Sequence, residues 1–136
     1  MIKCLNSLIC KEYRIEDDGL ITLDSIYSAV TRKDMPTTIS LCLVSFMVLS
    51  IKEYEISHKK ELEVRVITIA PSGITIGDSH SNVTFRQISD MEARGNLIIQ
   101  YGPTTFTEFG RYLFEIFYDY ERLDSITLDI ISEYKS

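Results

Sequence analysis

From Gly110 onward the chain alternates with few lapses. Tyr112, Phe114, Ile116 and Tyr118 share one parity, while Leu113, Glu115, Phe117 and Asp119 share the other. A strand turns successive side chains to opposite faces, so a period of two predicts a β-strand with one buried face. After a polar step at Tyr120-Glu121-Arg122, the residues Ile126, Leu128 and Ile130 alternate with Thr127 and Asp129. This predicts the second arm of a hairpin running from Gly110 to Ile131. Its apolar face has to be covered, and a second sheet is the simplest cover.

The rest of the chain reads the same way. Ile2–Tyr13 is an expected strand, and Asp18-Gly19 at the end of Glu16-Asp17-Asp18-Gly19 is a strong hairpin turn signal before a second strand at Leu20–Val30. Pro36 marks Thr31–Thr38 as a loop. Ile39–Ile51 is apolar at both parities, which predicts a central strand or one whose outer face meets something else. Lys52–Lys60 is charged and predicts a loop. Leu62, Val64 and Val66 predict a half-buried strand, Ala70-Pro71-Ser72-Gly73 a turn, and Ile74–Gly77 a short return. Val83–Ile88 and Asn96–Tyr101 are further strands. Ser89 and Glu92 match a capping box, and Gly95 behind them limits it to one short helical turn near 89–94. About eight strands without a long helix predict one all-β domain over residues 1–136, built as two antiparallel sheets packed face to face.

Composition narrows the functional field. The net charge is −6, from 20 acidic and 14 basic residues. Nucleic-acid and anionic-membrane binders concentrate Lys and Arg on one face. Here the only basic cluster, His58-Lys59-Lys60, is flanked by Glu55 and Glu61, so neither class of partner is expected. No secretory signal is recognisable near Met1–Cys10, which sets a cytoplasmic address as the expectation. Three cysteines do not make a disulfide framework. Cys4 and Cys10 lie about 20 Å apart along one extended strand, beyond the ~7 Å Cα separation a disulfide spans.

Candidate chemistry is sparse. His58 and His80 stand apart from the Cys and His partners that zinc requires, and no glycine pattern suits a phosphate. Asp78-Ser79-His80-Ser81 holds the residue types of a hydrolase triad, but triad members converge from separated positions, so a solvated loop is the better reading. The Glu16–Asp18 turn could offer oxygens to calcium, yet lacks the alternating acidic ladder that would make such a site specific. Among the tyrosines, Tyr112 and Tyr118 read as core, and Tyr120 as the exposed residue at the hairpin tip. No catalytic residue, metal or cofactor is therefore assigned, and an enzyme is not expected.

The run Thr104–Ile116, an approach loop followed by Gly-x-Tyr-x-Phe-x-Ile, resembles the last hairpin of immunoglobulin-like domains. With Ser7–Glu12 and Asp18–Tyr27, the chain resembles a family of uncharacterised bacterial single-domain proteins. That resemblance implies an immunoglobulin-like sandwich and lends no catalytic residues. The functional expectation is a non-catalytic protein-interaction module, self-associating as a homodimer or binding a dedicated protein partner. Its interface is placed at Leu113, Phe117 and Tyr120, with Phe46 and Val48 from the doubly apolar strand. The alternative is a small-molecule or glycan-binding sandwich using loops such as Asp78–Asn82 and Tyr120.

Overall fold

A computed structural model of the chain describes residues 2–56 and 61–133. His58-Lys59-Lys60 and Tyr134 lie outside the described residues. Ten strands form two five-stranded sheets. The first sheet is ordered β2 (Ile21–Tyr27), β1 (Lys3–Ile15), β4 (Thr37–Ser50), β8 (Glu92–Phe106) and β7 (Arg86–Gln87). The second is ordered β3 (Ala29–Arg32), β10 (Glu121–Ser132), β9 (Gly110–Tyr118), β5 (Glu61–Ile69) and β6 (Thr75–Thr84). All neighbours are antiparallel except β3 and β10, which are parallel.

The grouping of β4-β8-β7 in one sheet and β10-β9-β5-β6 in the other follows the B-E-D and G-F-C-C′ grouping of immunoglobulin sandwiches. A tyrosine corner supports the same architecture. The hydroxyl of Tyr112, near the start of β9, donates to the carbonyl of Glu108 at 2.9 Å and accepts from the Glu108 amide at 3.1 Å. The ring is buried and meets Phe106 edge-on, with centroids 4.8 Å apart. A buried phenol needs a partner for its hydroxyl, and here the partner is the loop that turns the chain from β8 into β9. The Tyr112-x-Phe114 spacing was legible in the sequence; the corner itself was not.

The core lies between the sheets, where the alternating positions of the closing hairpin meet β4 and β8. Tyr112, Phe114, Ile116, Leu128 and Ile130 are buried against Leu41, Leu43, Met47 and Leu97. A part-buried polar tie joins the two sheets. Ser7 Oγ donates to Asp124 Oδ2 at 2.6 Å and lies 2.8 Å from Ser45 Oγ. Since the Ser7 proton is committed to Asp124, the buried Ser45 hydroxyl is the donor of the second bond. The tie joins β1 and β4 to β10, so the Ser45 side chain is not left buried without a partner.

Strand β4 is central, between β1 and β8, which accounts for its two apolar faces. Its outer residues Cys42 and Val44 are buried with Cys10 in a second cluster, covered by Tyr13, Leu23, Phe46 and Ile98. Cys10 and Cys42 are direct cross-strand neighbours, and all three cysteines are free thiols. Burial pushes the Cys42 thiol up to about 12, with Cys10 beside it adding to the shift, so both residues serve as small apolar groups.

Several expected elements are corrected. The strand expected at Leu20–Val30 is two, β2 and β3, because the chain changes sheets at Ser28. Ile51, expected as the end of a strand, and residues 52–56 of the expected loop form the helix α1 (Ile51–Ile56), started by Ser50 Oγ accepting from the Glu53 amide and anchored by buried Tyr54. The helical turn expected near 89–94 is instead a bend at 89–91 that joins β7 to β8. Ser89 Oγ does accept from the amides of Met91 and Glu92, but pairing with β7 and β4 draws Glu92–Gly95 into β8. Gly95 has a different task from ending a helix. A Cβ there would lie 2.8 Å from the Thr84 carbonyl oxygen and from Val83 Cγ1. Glycine lets the chain leaving β6 pass close over β8 as it crosses between sheets.

Two stability measurements check this account. Tyr112→Phe is expected to lower the urea midpoint, costing about 1 kcal/mol for the lost hydrogen bonds, with the denaturant slope unchanged. Gly95→Ala is expected to cost about 1–3 kcal/mol through overpacking against the crossing backbone. A neutral effect at either position would contradict the contact assigned to it.

Candidate interaction surface

The alternation that buries one face of β9 turns Leu113, Glu115 and Phe117 outward. In the ladder with β5, Leu113 stands opposite Ile69, Glu115 opposite Ile67 and Phe117 opposite Arg65. On the other side, Thr127 of β10 lies opposite Leu113 and Arg122 opposite Phe117. The outer face of this sheet thus carries a patch of half-buried apolar side chains: Leu113, Phe117, Ile67 and Ile69.

Three ion pairs frame it. Arg65 grips Asp78 of β6 through both carboxylate oxygens, at 2.8 and 2.7 Å. Arg111 holds Asp129 in the same bidentate way, at 2.8 and 3.1 Å, and Arg122 donates to Glu115 at 2.9 Å. The hydrogen bonds from Arg65 and Arg111 hold the Asp78 and Asp129 carboxyls below the usual range. Exposed pairs of this kind add little to stability, but they fix the geometry of the frame. His80 completes it, with Nδ1 3.3 Å from Glu63 and Nε2 3.6 Å from Asp78.

Tyr120 stands at the lip. The β9–β10 hairpin closes through Asp119 and Tyr120, at φ 49° and 67°. Two left-handed residues make the tight hairpin turn that Asp-Gly or Asn-Gly usually provides. A tyrosine at the second position is strained, and its side chain is 96% exposed. Below it opens a recess of about 330 Å³ bordered by Arg65, Ile67, His80, Phe117 and Asp119.

The five interface residues expected from sequence therefore separate. Leu113, Phe117 and Tyr120 share the outer face of the second sheet. Phe46 and Val48 lie on the outer face of the first sheet, across the whole sandwich. There Phe46 helps cover Cys10 and Cys42, and Val48 sits between Lys3 and Arg94 of the neighbouring strands. At Phe46 the apolar character of that face is used within the chain.

Asp78–Asn82, expected as a solvated loop, lies within β6. Alternation sends Asp78 and His80 outward and turns Ser79 and Ser81 towards the first sheet, so neither serine of the motif shares a face with His80. The triad composition cannot assemble locally. Glu16 is engaged by Thr22 and Arg14, and Asp18 accepts from the Leu20 amide, as in a polar hairpin turn. Among the described residues no three His, Cys, Asp or Glu side chains converge as a metal-ligand set. Sequence reasoning did not include Arg65, Ile67 and Ile69 in the surface. Their outward parity on β5 was the available signal.

No curated protein matches the chain. Among solved structures, an immunoglobulin-like protein from Pseudomonas aeruginosa is similar at 12% sequence identity and a TM-score of 0.43, with 96% of each chain covered. The fold assignment rests on the strand order and the tyrosine corner. The family model described as "Family of unknown function (DUF6941)" matches residues 5–131. Spanning the sandwich from β1 to β10, that match shows that the chain belongs to the DUF6941 family of unknown function.

Proposed function

We propose that this domain is a protein-interaction module that binds a partner protein through the outer face of β9, β5 and β6. The observation that carries the reading is the exposed, backbone-strained Tyr120 beside the half-buried Phe117 and Leu113. Interfaces commonly combine an apolar centre, aromatic anchors and a polar, charge-paired rim, and this face has each part. The strain at Tyr120 supports the reading, since glycine there would relax the turn and tyrosine adds contact area instead. The partner expected is a protein with an apolar protrusion and basic surroundings. Glu63 and Asp119 border the recess beside Arg65 and His80, and a net charge of −6 over the chain favours encounter with positive surfaces.

The recess under Tyr120 also supports a second reading, small-molecule binding. At about 330 Å³ it lies at the lower end of ligand-pocket sizes, and Arg65 and His80 converge on it. Phe117 and Ile67 in its lining equally suit an apolar side chain protruding from a partner.

Two outcomes test the proposal. A photo-crosslinking amino acid at position 120, in cells, is expected to give one defined protein adduct that Phe117→Glu abolishes. The same probe at Val48 is expected to give none. Adducts from both positions alike, or an adduct indifferent to Phe117→Glu, would count against the surface. Tyr120→Gly is expected to stabilise the fold by about 1 kcal/mol in urea by relieving the left-handed strain. A loss of stability would show that the side chain is needed for folding rather than contact.

A further inference from the structure

We propose that two copies of this chain pair antiparallel along β6, with Ser79 on the twofold axis, joining their second sheets into one continuous sheet of ten strands. This contact uses a sheet edge whose Asp78 and His80 also frame the partner-binding face described above, but it does not involve Leu113, Phe117 or Tyr120.

An edge strand presents unpaired N–H and C=O groups that invite another strand unless they are guarded. The two sheets have four such edges. β3 has four residues and β7 two, too short to seat a partner strand. β2 has seven, but Ser25 at φ 56° breaks its regular course. β6 has ten residues. Its one irregularity is an extra residue at Ile76, and from Gly77 to Thr84 it pairs with β5 without a break. It carries no Lys, Arg or Pro, the residues that usually blunt an edge. Among the described residues, β6 is the long edge left open.

Charge selects both the occupant and the register. Antiparallel strands that keep inner and outer faces matched can pair only in registers two residues apart. With the axis on Asp78, two carboxylates would stand opposite each other. With the axis on His80, two imidazoles would. With the axis on Ser79, Asp78 of each copy lies opposite His80 of the other, and symmetry makes this contact twice. An imidazole can donate to a carboxylate whether protonated or neutral, so the pairing does not require a charged histidine. Small residues complete the fit. Gly77 stands opposite Ser81 of the second copy, leaving the inward side of the junction free of bulk.

Light scattering on the full chain, over rising concentration into the tens of micromolar, is expected to approach twice the 15.6 kDa chain mass. His80→Glu is expected to raise the dimer Kd about tenfold or more, because both cross-strand pairs become repulsive. Ile76→Lys, at an exposed position, is expected to weaken the dimer in the same direction by guarding the edge. Phe117→Glu is expected to leave the dimer intact, and circular dichroism of all three variants to match the parent. A strict monomer at these concentrations would overturn the pairing. So would a dimer that ignores both β6 variants, whatever Phe117→Glu does. Loss of the Tyr120 crosslink with the dimer intact would bear on the partner surface alone.

Discussion

Because a strand turns successive side chains to opposite faces, β9 cannot bury Tyr112, Phe114 and Ile116 without turning Leu113, Glu115 and Phe117 outward. The same constraint passes across the ladder to β5 and β6, whose registers with one another leave Arg65, Ile67, Asp78 and His80 on that outer side. The core and the candidate surface are therefore two consequences of one alternation. A one-residue slip would exchange them, and the tyrosine corner opposes such a slip by tying Tyr112 to Glu108 at the entrance to β9.

The two outer faces answer the problem of exposed apolar surface differently. On the first sheet, Tyr13, Leu23, Phe46 and Ile98 close over Cys10, Cys42 and Val44, making a small second core. On the second sheet, ion pairs from Arg65, Arg111 and Arg122 frame the apolar residues without covering them. That difference directs the functional reading to the β9–β5–β6 side. β6 belongs to this side as well, so a partner-binding face and a self-pairing edge would adjoin.

Legibility in the sequence followed burial contrast. The closing hairpin was readable because its core positions are large and apolar while most of their neighbours are polar. β6 was not. Gly77, Ser79 and Ser81 are small on its inner side and Asp78, His80 and Asn82 are polar on its outer side, so an edge strand had the composition of a loop. The doubly apolar Ile39–Ile51 read as central or as meeting something on its outer face, and it is central; that Phe46 packs with Cys10, Tyr13, Leu23 and Ile98 was not legible, because those residues come from distant segments. Gly95 behind a capping box suggested a helix end, since nothing local reveals that the Thr84 backbone passes within 2.8 Å of where its Cβ would be.

The claim that the second sheet is the interacting side of the sandwich can be read directly from amide hydrogen exchange, resolved by residue, in dilute and concentrated solution. The account predicts that the β6 amides pointing away from β5 slow as concentration rises, while the outward amides of β2 keep their rate. Exchange along β6 that is the same at every concentration, or slowing confined to β2, would contradict it.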